Sequence, residues 1–218
     1  MPKRPYSTYQ KWIGSGLLLT PFIFLCVRYL DIPVALFVKN HLYASPQWAN
    51  ITSDLPDLLL MVVLLSMLAS LSVYLRRSRK GIYDATTVFA RLVLWAAPAS
   101  YLTKMVLKIF FGRVNTRYWL EQPNLYGFHW FQLHEHCRGF PSGHMLVIVT
   151  LLAALWRFYP KSRPLCLVTA TGLGAALVAT NYHFVSDVIA GTYLGLLVEA
   201  VAFRLLFREP PHVDLSNS

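Results

Sequence analysis

Long apolar runs are the feature that most restricts how this chain can fold. They lie at residues 12–30, 55–75, 89–111, 142–159, 165–182 and 184–207, and short polar or basic stretches separate them. A helix needs about 20 apolar residues to cross the hydrocarbon core of a bilayer, and most of these runs approach or exceed that length. Their apolar residues are continuous, without the alternation of a half-buried strand or the stripe of an amphipathic helix. The runs predict an all-α, polytopic membrane protein with six transmembrane helices.

The composition agrees with a membrane protein. Of the 218 residues, 56% are hydrophobic and 14% are charged, whereas a typical soluble domain has about 25% charged residues. The chain has no internal repeat, so we expect a single membrane-embedded domain over residues 1–218. Residues 31–54 are predicted to form a loop, with the short apolar piece 32–38 lying at the membrane interface.

The basic residues predict the orientation of the helices. The net charge of +10 is compatible with nucleic-acid binding, but the basic residues lie in short clusters between apolar runs, which favours a topology signal. With a cytoplasmic N-terminus, the inner side receives Lys3, Arg4, Lys11, Arg76, Arg77, Arg79, Lys80, Lys161, Arg163 and Arg208. The asymmetry predicts that both termini are cytoplasmic in a multi-pass protein of the inner, or plasma, membrane.

One loop departs from this charge bias. Arg113, Arg117 and Arg138 all lie between the third and fourth runs, on the predicted outer side. An anionic ligand is a common reason to concentrate arginines in one place, because the guanidinium group matches the geometry of phosphate and carboxylate. We therefore expect an anion-binding site at the outer face, open to the periplasm or the exterior.

The stretch Pro141-Ser142-Gly143-His144 begins the fourth run. A helix start offers free backbone N–H groups and partial positive charge, both of which favour an anion. A histidine at this point adds a group that donates a proton. In isolation the same stretch is also compatible with a plain turn and a serine N-cap.

His183 and Asp187 are four residues apart at the start of the sixth run and so share one helical face. An aspartate that accepts a hydrogen bond from one imidazole nitrogen fixes the tautomer and leaves the other nitrogen as a nucleophile or base. In the six-helix arrangement this pair, Pro141–His144 and the end of the third run all meet at the outer face.

These residues resemble the type 2 phosphatidic acid phosphatase superfamily, whose three motifs are Lys-x6-Arg-Pro, Pro-Ser-Gly-His and Ser-Arg-x5-His-x3-Asp. The second motif is complete at Pro141–His144, and the His-x3-Asp of the third is complete at His183 and Asp187. The first motif keeps Lys108, but Asn115 and Thr116 replace Arg-Pro. In the third motif, Ala176 and Leu177 replace Ser-Arg.

The resemblance implies a phosphohydrolase that needs neither metal nor cofactor. His183 would attack phosphorus and form a phosphohistidine, and Asp187 would orient it. His144 would protonate the leaving oxygen and then activate water. Lys108, Ser142 and the Gly143 N–H would hold the phosphoryl oxygens.

Two family arginines are missing from their positions, so other groups are expected to bind phosphate in their place. Our first candidate is Arg138, which lies three residues before Pro141, and our second is Arg117. Arg113 is a third candidate, and Asn115 would assist. His129, His134 and His136 suggest a metal by spacing, but we expect these loop histidines to contact substrate or solvent.

The favoured function is a membrane phosphatase for a lipid phosphate or diphosphate, such as undecaprenyl diphosphate, phosphatidylglycerophosphate, phosphatidic acid or lipid A. Its expected partners are that lipid and the bilayer, without nucleic acid, and the sequence carries no signal for an oligomeric state. Two alternatives remain. One is a lipid phosphotransferase that uses the same phosphohistidine, and the other is a catalytically silent protein that binds lipid phosphates.

Overall fold

The computed structural model describes Gly16, residues 18–42 and residues 55–207, and the described part is mostly helical, with its least helical stretch between residues 112 and 142. Its helices are α1 (Leu18–His41), α2 (Leu55–Arg79), α3 (Ala85–Phe111), α4 (Thr116–Glu121), α5 (Gly143–Phe158), α6 (Arg163–Ala179) and α7 (Val185–Leu206). Within these ranges there is no strand beyond one isolated bridge between Arg113 and Phe128. The all-α prediction is confirmed.

Five of these helices, α1, α2, α3, α6 and α7, are long and apolar enough to cross a membrane, α6 together with the short turn before it. Their outward side chains are apolar, as shown by Leu18, Leu102 and Leu205, which are 78%, 62% and 72% exposed. An apolar surface of this extent is suited to lipid, and the chain is a multi-pass membrane protein. The fourth predicted span, 142–159, corresponds to α5, an apolar helix of 16 residues that is shorter than the other five.

The shorter helix α5 is the centre of the bundle. It packs against α2, α3, α6 and α7, and α1 lies against α7 and α6. Leu146, Val147 and Ala154 of α5 are completely buried. Four helices pack around α5, so most of it belongs to the core, and only its last turns, at Trp156 and Arg157, reach the outer surface.

The first predicted span is corrected by the structure. Residues 31–54 were expected to leave the membrane as a loop, but α1 continues through Asp31 to His41, with a π-helical segment at Cys26–Leu30. Asp31 does not end the helix because its carboxylate is buried against partners from other parts of the chain. Residues 12–15, 17, 43–54 and 208–218, with the predicted start of the first span and Arg208, lie outside the described residues, as do Lys3, Arg4 and Lys11.

The start of α3 explains why it is longer than the predicted 89–111, while its end lies at Phe111 as predicted. Asp84 caps its start by accepting a hydrogen bond from the Thr87 N–H at 3.1 Å. At its end, Gly112 adopts a left-handed conformation with φ of 54°, and its N–H donates to the carbonyl of Lys108. A side chain at Gly112 would also collide with the backbone of His129, so glycine is needed there.

Two glycines allow α5 and α7 to approach closely. A Cβ atom at Gly195 would lie 2.6 Å from the carbonyl oxygen of Leu146, and one at Gly191 would overlap the carbonyl oxygen of Ser142. Because the two helices are so close, the Thr150 hydroxyl also donates a hydrogen bond to the Gly195 carbonyl at 3.0 Å. Small residues four apart are a common device for close helix contact in membranes.

The replacement Gly191→Ala is expected to destabilise the protein by about 1–3 kcal/mol, because the added methyl group overpacks the contact with Ser142. Gly172→Ala on α6 is the matched control, since a Cβ atom there meets nothing within 4 Å; alanine should leave stability unchanged or raise it by up to about 1 kcal/mol. Thermal unfolding in detergent measures both. Equal effects of the two variants would contradict this assignment.

Candidate active site

The main chain ties the start of α5 to the start of α7. Ser142 is the N-cap of α5, and its hydroxyl accepts a hydrogen bond from the Met145 N–H at 3.4 Å. The N–H of Ser142 donates to the carbonyl of Asp187 at 3.0 Å. Two motif segments that are more than 40 residues apart in the chain are therefore held together by a backbone hydrogen bond.

His183 lies in the turn between α6 and α7, where the backbone N–H groups of Tyr182 and His183 both donate to the carbonyl of Leu177. Its side chain is 2% exposed. Nδ1 lies 3.6 Å from Oδ2 of Asp187, an ion-pair separation longer than a hydrogen bond. The same Oδ2 accepts a hydrogen bond from the Phe184 N–H at 3.1 Å, which helps fix the carboxylate beside the imidazole.

His144 faces His183 from the first turn of α5. The centroids of the two rings are 6.0 Å apart, and each ring lies 5.2 Å from the ring of Tyr182. Both histidines are buried. The structure therefore brings together the three residues predicted to be catalytic, His183, His144 and Asp187.

Burial lowers the pKa of His183, since desolvation penalises the charged imidazolium. Asp187 opposes this shift, the Lys108 ammonium adds to it, and the carbonyl of Gly139 also opposes it. A histidine in this environment is neutral at physiological pH and has a lone pair available for attack.

The predicted cation Lys108 lies on the last turn of α3, close enough to interact electrostatically with His183, Asp187 and Arg138. Lys104, one turn earlier, packs its methylene groups against the backbone of Gly143, where a Cβ atom would meet them at 2.7–3.1 Å. Its ammonium group lies 4.2 Å from the centre of the Tyr101 ring. Two lysines of α3 thus line the start of α5.

The other predicted phosphate ligands have different surroundings. Arg138 is exposed and donates to the carbonyl of Leu133 at 3.1 Å. Arg117 donates to the carbonyl of Thr180 at 3.3 Å, and its guanidinium lies 5.2 Å from the centre of the Tyr182 ring. Asn115 caps α4 by accepting from the Tyr118 N–H at 2.8 Å, so this carbonyl oxygen is already used.

Arg113 is completely buried and belongs to an ionic network. It donates to Asp187 at 2.5 Å, to Asp31 at 2.7 Å and to the hydroxyl of Ser186 at 2.6 Å. Burial acts to lower the pKa of Arg113, but the carboxylates of Asp187 and Asp31 together outweigh it and raise that pKa. The sequence predicts Arg113 as a phosphate ligand, but its N–H groups are directed at these carboxylates, which is the geometry of a structural cation.

Asp31 and Ser186 are the participants that sequence reasoning missed. Both are buried, and Ser186 donates to Asp31 through its backbone N–H at 2.9 Å and its hydroxyl at 2.5 Å. A signal was present, because Asp31 is an acid between apolar stretches, and an ionisable group in a membrane segment needs a partner. The partner itself was not visible, since Arg113 lies 82 residues away in the chain.

The loop histidines do not converge. His136 stacks on Tyr118 with ring centroids 4.2 Å apart, and His129 contacts the carbonyl of Leu125. Among the described residues, no group of three or more His, Cys, Asp or Glu side chains is placed to hold a metal ion. Metal independence stays a prediction.

The comparison with known proteins defines the class of protein that this fold and site represent. The model of the PAP2 superfamily matches residues 89–211, which contain all three motif segments, so the chain belongs to this superfamily. The resemblance found in the motifs is thereby confirmed. No solved structure matches the chain.

Two curated relatives have names that state a particular activity within this kind of protein. A lipid A 1-phosphatase of Rhizobium johnstonii is 31% identical over 118 residues, which are 51% of this chain and 48% of the relative. A lipid A 1-phosphatase of Rhizobium etli is 32% identical over 118 residues, covering 51% and 50%. The chain thus spans about half the length of the curated relatives it matches.

Replacement of Arg113 by alanine is expected to destabilise the protein by about 3–5 kcal/mol, because two buried carboxylates lose their counter-charge. Arg77→Ala is the control. Arg77 pairs with Asp84 at the opposite end of the bundle, where both side chains are partly exposed, 33% and 44%, and such pairs contribute about 0–1 kcal/mol. Thermal unfolding of both variants tests this, and an Arg113 variant as stable as the Arg77 variant would contradict it.

Proposed function

We propose that this protein is an integral-membrane phosphatase that hydrolyses a lipid phosphate or diphosphate through a phosphohistidine intermediate. The observation that carries the proposal is the buried trio of His183, Asp187 and His144, with the Lys108 cation beside it. A nucleophile, its orienting carboxylate and a second histidine are the groups that such a reaction needs.

In the first step His183 attacks phosphorus. Asp187 lies on the Nδ1 side of the ring, so Nε2 is the nitrogen that forms the new P–N bond. The bond from phosphorus to the lipid oxygen breaks, and His144 donates a proton to that oxygen as it leaves. A phosphoryl group bonded to one imidazole and hydrogen-bonded to the other would bridge rings whose centroids are 6.0 Å apart.

In the second step His144, now neutral, accepts a proton from a water molecule. The water oxygen attacks phosphorus, the P–N bond breaks, and inorganic phosphate and free His183 result. Lys108 and the N–H groups at the start of α5 stabilise the negative charge that develops on the phosphoryl oxygens in both steps. The helix dipole of α5 adds to this effect.

Arg117 and Arg138 are proposed to complete the phosphate site in place of the two missing family arginines. Arg138 interacts electrostatically with Lys108, and Arg117 lies over Tyr182, which contacts both histidines. Arg113 is proposed to position Asp187 and not to bind phosphate, because its N–H groups already have buried partners.

The substrate is proposed to be a lipid whose phosphate reaches the outer face of the plasma membrane. The names of the two Rhizobium relatives make a phosphate of lipid A the first candidate, ahead of undecaprenyl diphosphate, phosphatidylglycerophosphate and phosphatidic acid. The described basic residues Arg76, Arg77, Arg79, Lys80, Lys161 and Arg163 lie at the ends of helices opposite the site. This distribution supports six spans with cytoplasmic termini and an outward-facing site.

Phosphate release by the purified protein in detergent, measured over a panel of the four lipid classes, tests the function. We expect release from at least one lipid and its complete loss in His183→Ala. Labelled phosphate should be recovered on the wild-type protein after a rapid alkaline quench and be absent from His183→Ala, because the phosphohistidine forms on that residue. If phosphate moves from one lipid to another without release of inorganic phosphate, the protein is a transferase; if labelled lipid binds without turnover, it is a silent binder.

The variants Arg138→Ala and Arg117→Ala are each expected to lose at least about 10-fold in activity, since a donor to the phosphoryl oxygens contributes strongly to catalysis. Arg28→Ala is the control, because Arg28 is an exposed arginine of α1 that contacts the ring of Tyr29. It should stay within about 2-fold of the wild type. Equal, small losses in all three variants would show that other groups replace the missing arginines.

A further inference from the structure

A single guanidinium is shared by two buried carboxylates next to the reactive histidine. Nη1 of Arg113 donates to Oδ1 of Asp187 at 2.5 Å, and Nη2 donates to Oδ2 of Asp31 at 2.7 Å. The side chains of all three residues are 0% exposed. The hydroxyl of Ser186 connects the same groups, because it accepts from Arg113 and donates to Asp31.

The charges in this network do not cancel. With both carboxylates ionised, these three groups carry one more negative than positive charge in a dry environment, where charge interactions are strong, and the Lys108 ammonium lies near Asp187. Oδ1 of Asp187 is taken by Arg113, so Oδ2, 3.6 Å from Nδ1 of His183, is the oxygen that faces the imidazole. When phosphorus bonds to Nε2, the ring becomes cationic, and the excess negative charge would then be neutralised.

We infer that Asp31 is a positioning residue of the reaction, which acts on His183 through Arg113 and Asp187 without touching the substrate. This inference rests on the proposed phosphohistidine mechanism. Asp31 holds one side of the guanidinium, and the other side is thereby limited to Oδ1 of Asp187. Without the charge of Asp31, Arg113 would turn towards both oxygens of Asp187 and draw Oδ2 away from the imidazole.

The remaining partners of the network do not replace Asp31. Tyr126 accepts from Nη2 of Arg113 at 3.2 Å, but its hydroxyl is neutral and itself donates to the carbonyl of Val27 at 2.6 Å. Asp31 also accepts from the backbone N–H of Ser186 at 2.9 Å. It therefore connects α1 to the positive end of α7, the helix that carries Asp187.

The pH dependence of the reaction reports on this arrangement. The groups that face His183 are Lys108 from α3, His144 from α5, Asp187 from α7 and Tyr182 from the preceding turn, with Asp31 and Arg113 behind Asp187. Loss of the Asp31 charge makes the surroundings less negative, so the imidazolium is less favoured. The acid limb of kcat/KM, where His183 loses its proton, then moves to lower pH.

Asp31→Asn tests the inference, because it removes the charge and keeps the size of the side chain. The lipid of the panel with the fastest release is the substrate, with the full chain in detergent. We expect kcat to fall about 10- to 100-fold from misorientation of the nucleophile, KM to stay within 2-fold, and the acid limb to move to lower pH. Glu199→Gln is the matched control: Glu199 is also buried and paired with an arginine, Arg157, but at the far end of α7.

Several outcomes would overturn the inference. An Asp31→Asn variant that matches Glu199→Gln in kcat and pH profile shows that the network only stabilises the fold. A raised KM with unchanged kcat shows that Asp31 affects substrate binding and not the nucleophile, and it overturns the inference as well. If Asp31→Asn does not fold, Ser186→Ala must show the same changes in smaller form, or the inference fails. An active wild type with an inactive His183→Ala variant separates these results from failure of the proposed function, in which the wild type itself releases no phosphate.

Discussion

The contact on which the structure depends most is the buried ion pair network around Arg113. It joins α1, the segment after α3 and the start of α7, which are far apart in the chain. Each of these charges would be costly alone at this depth, and each is acceptable only because the others are present. The network therefore specifies one arrangement of these three segments. The position of α5 is fixed separately, by its close contact with α7 at Gly191 and Gly195.

Most of the helices could be predicted from the sequence because the bilayer imposes a simple rule. A spanning segment must form all of its backbone hydrogen bonds within itself, so a long apolar run becomes a helix. The predicted runs at α2, α3, α5, α6 and α7 are all helical. The differences at their ends come from caps such as Asp84, which extend a helix into polar sequence. The error at α1 has another cause. Asp31 was predicted to end a span because it is an acid, and the buried partner that allows it inside a helix is distant in the sequence.

The motif residues of the site were predictable, whereas the support behind them was not. His144, His183 and Asp187 lie in local patterns, and the alternation of the helices brings these patterns to one end of the bundle. Arg113 belongs to the same loop as Arg117 and Arg138, and nothing in the sequence separates a buried arginine from one near the site. Only the three-dimensional contacts reveal that its charge is already neutralised by Asp31 and Asp187.

The length of the central helix, α5, affects how a substrate would reach the site at its start. With 16 residues, α5 is about 24 Å long, against a hydrocarbon layer of about 30 Å. An α5 that runs across the bilayer has an end below the level of the headgroups, a case of hydrophobic mismatch within the bundle. His144 at that end would sit in a recess, and the phosphate of the proposed lipid substrate would have to pass below the level of the headgroups to reach it.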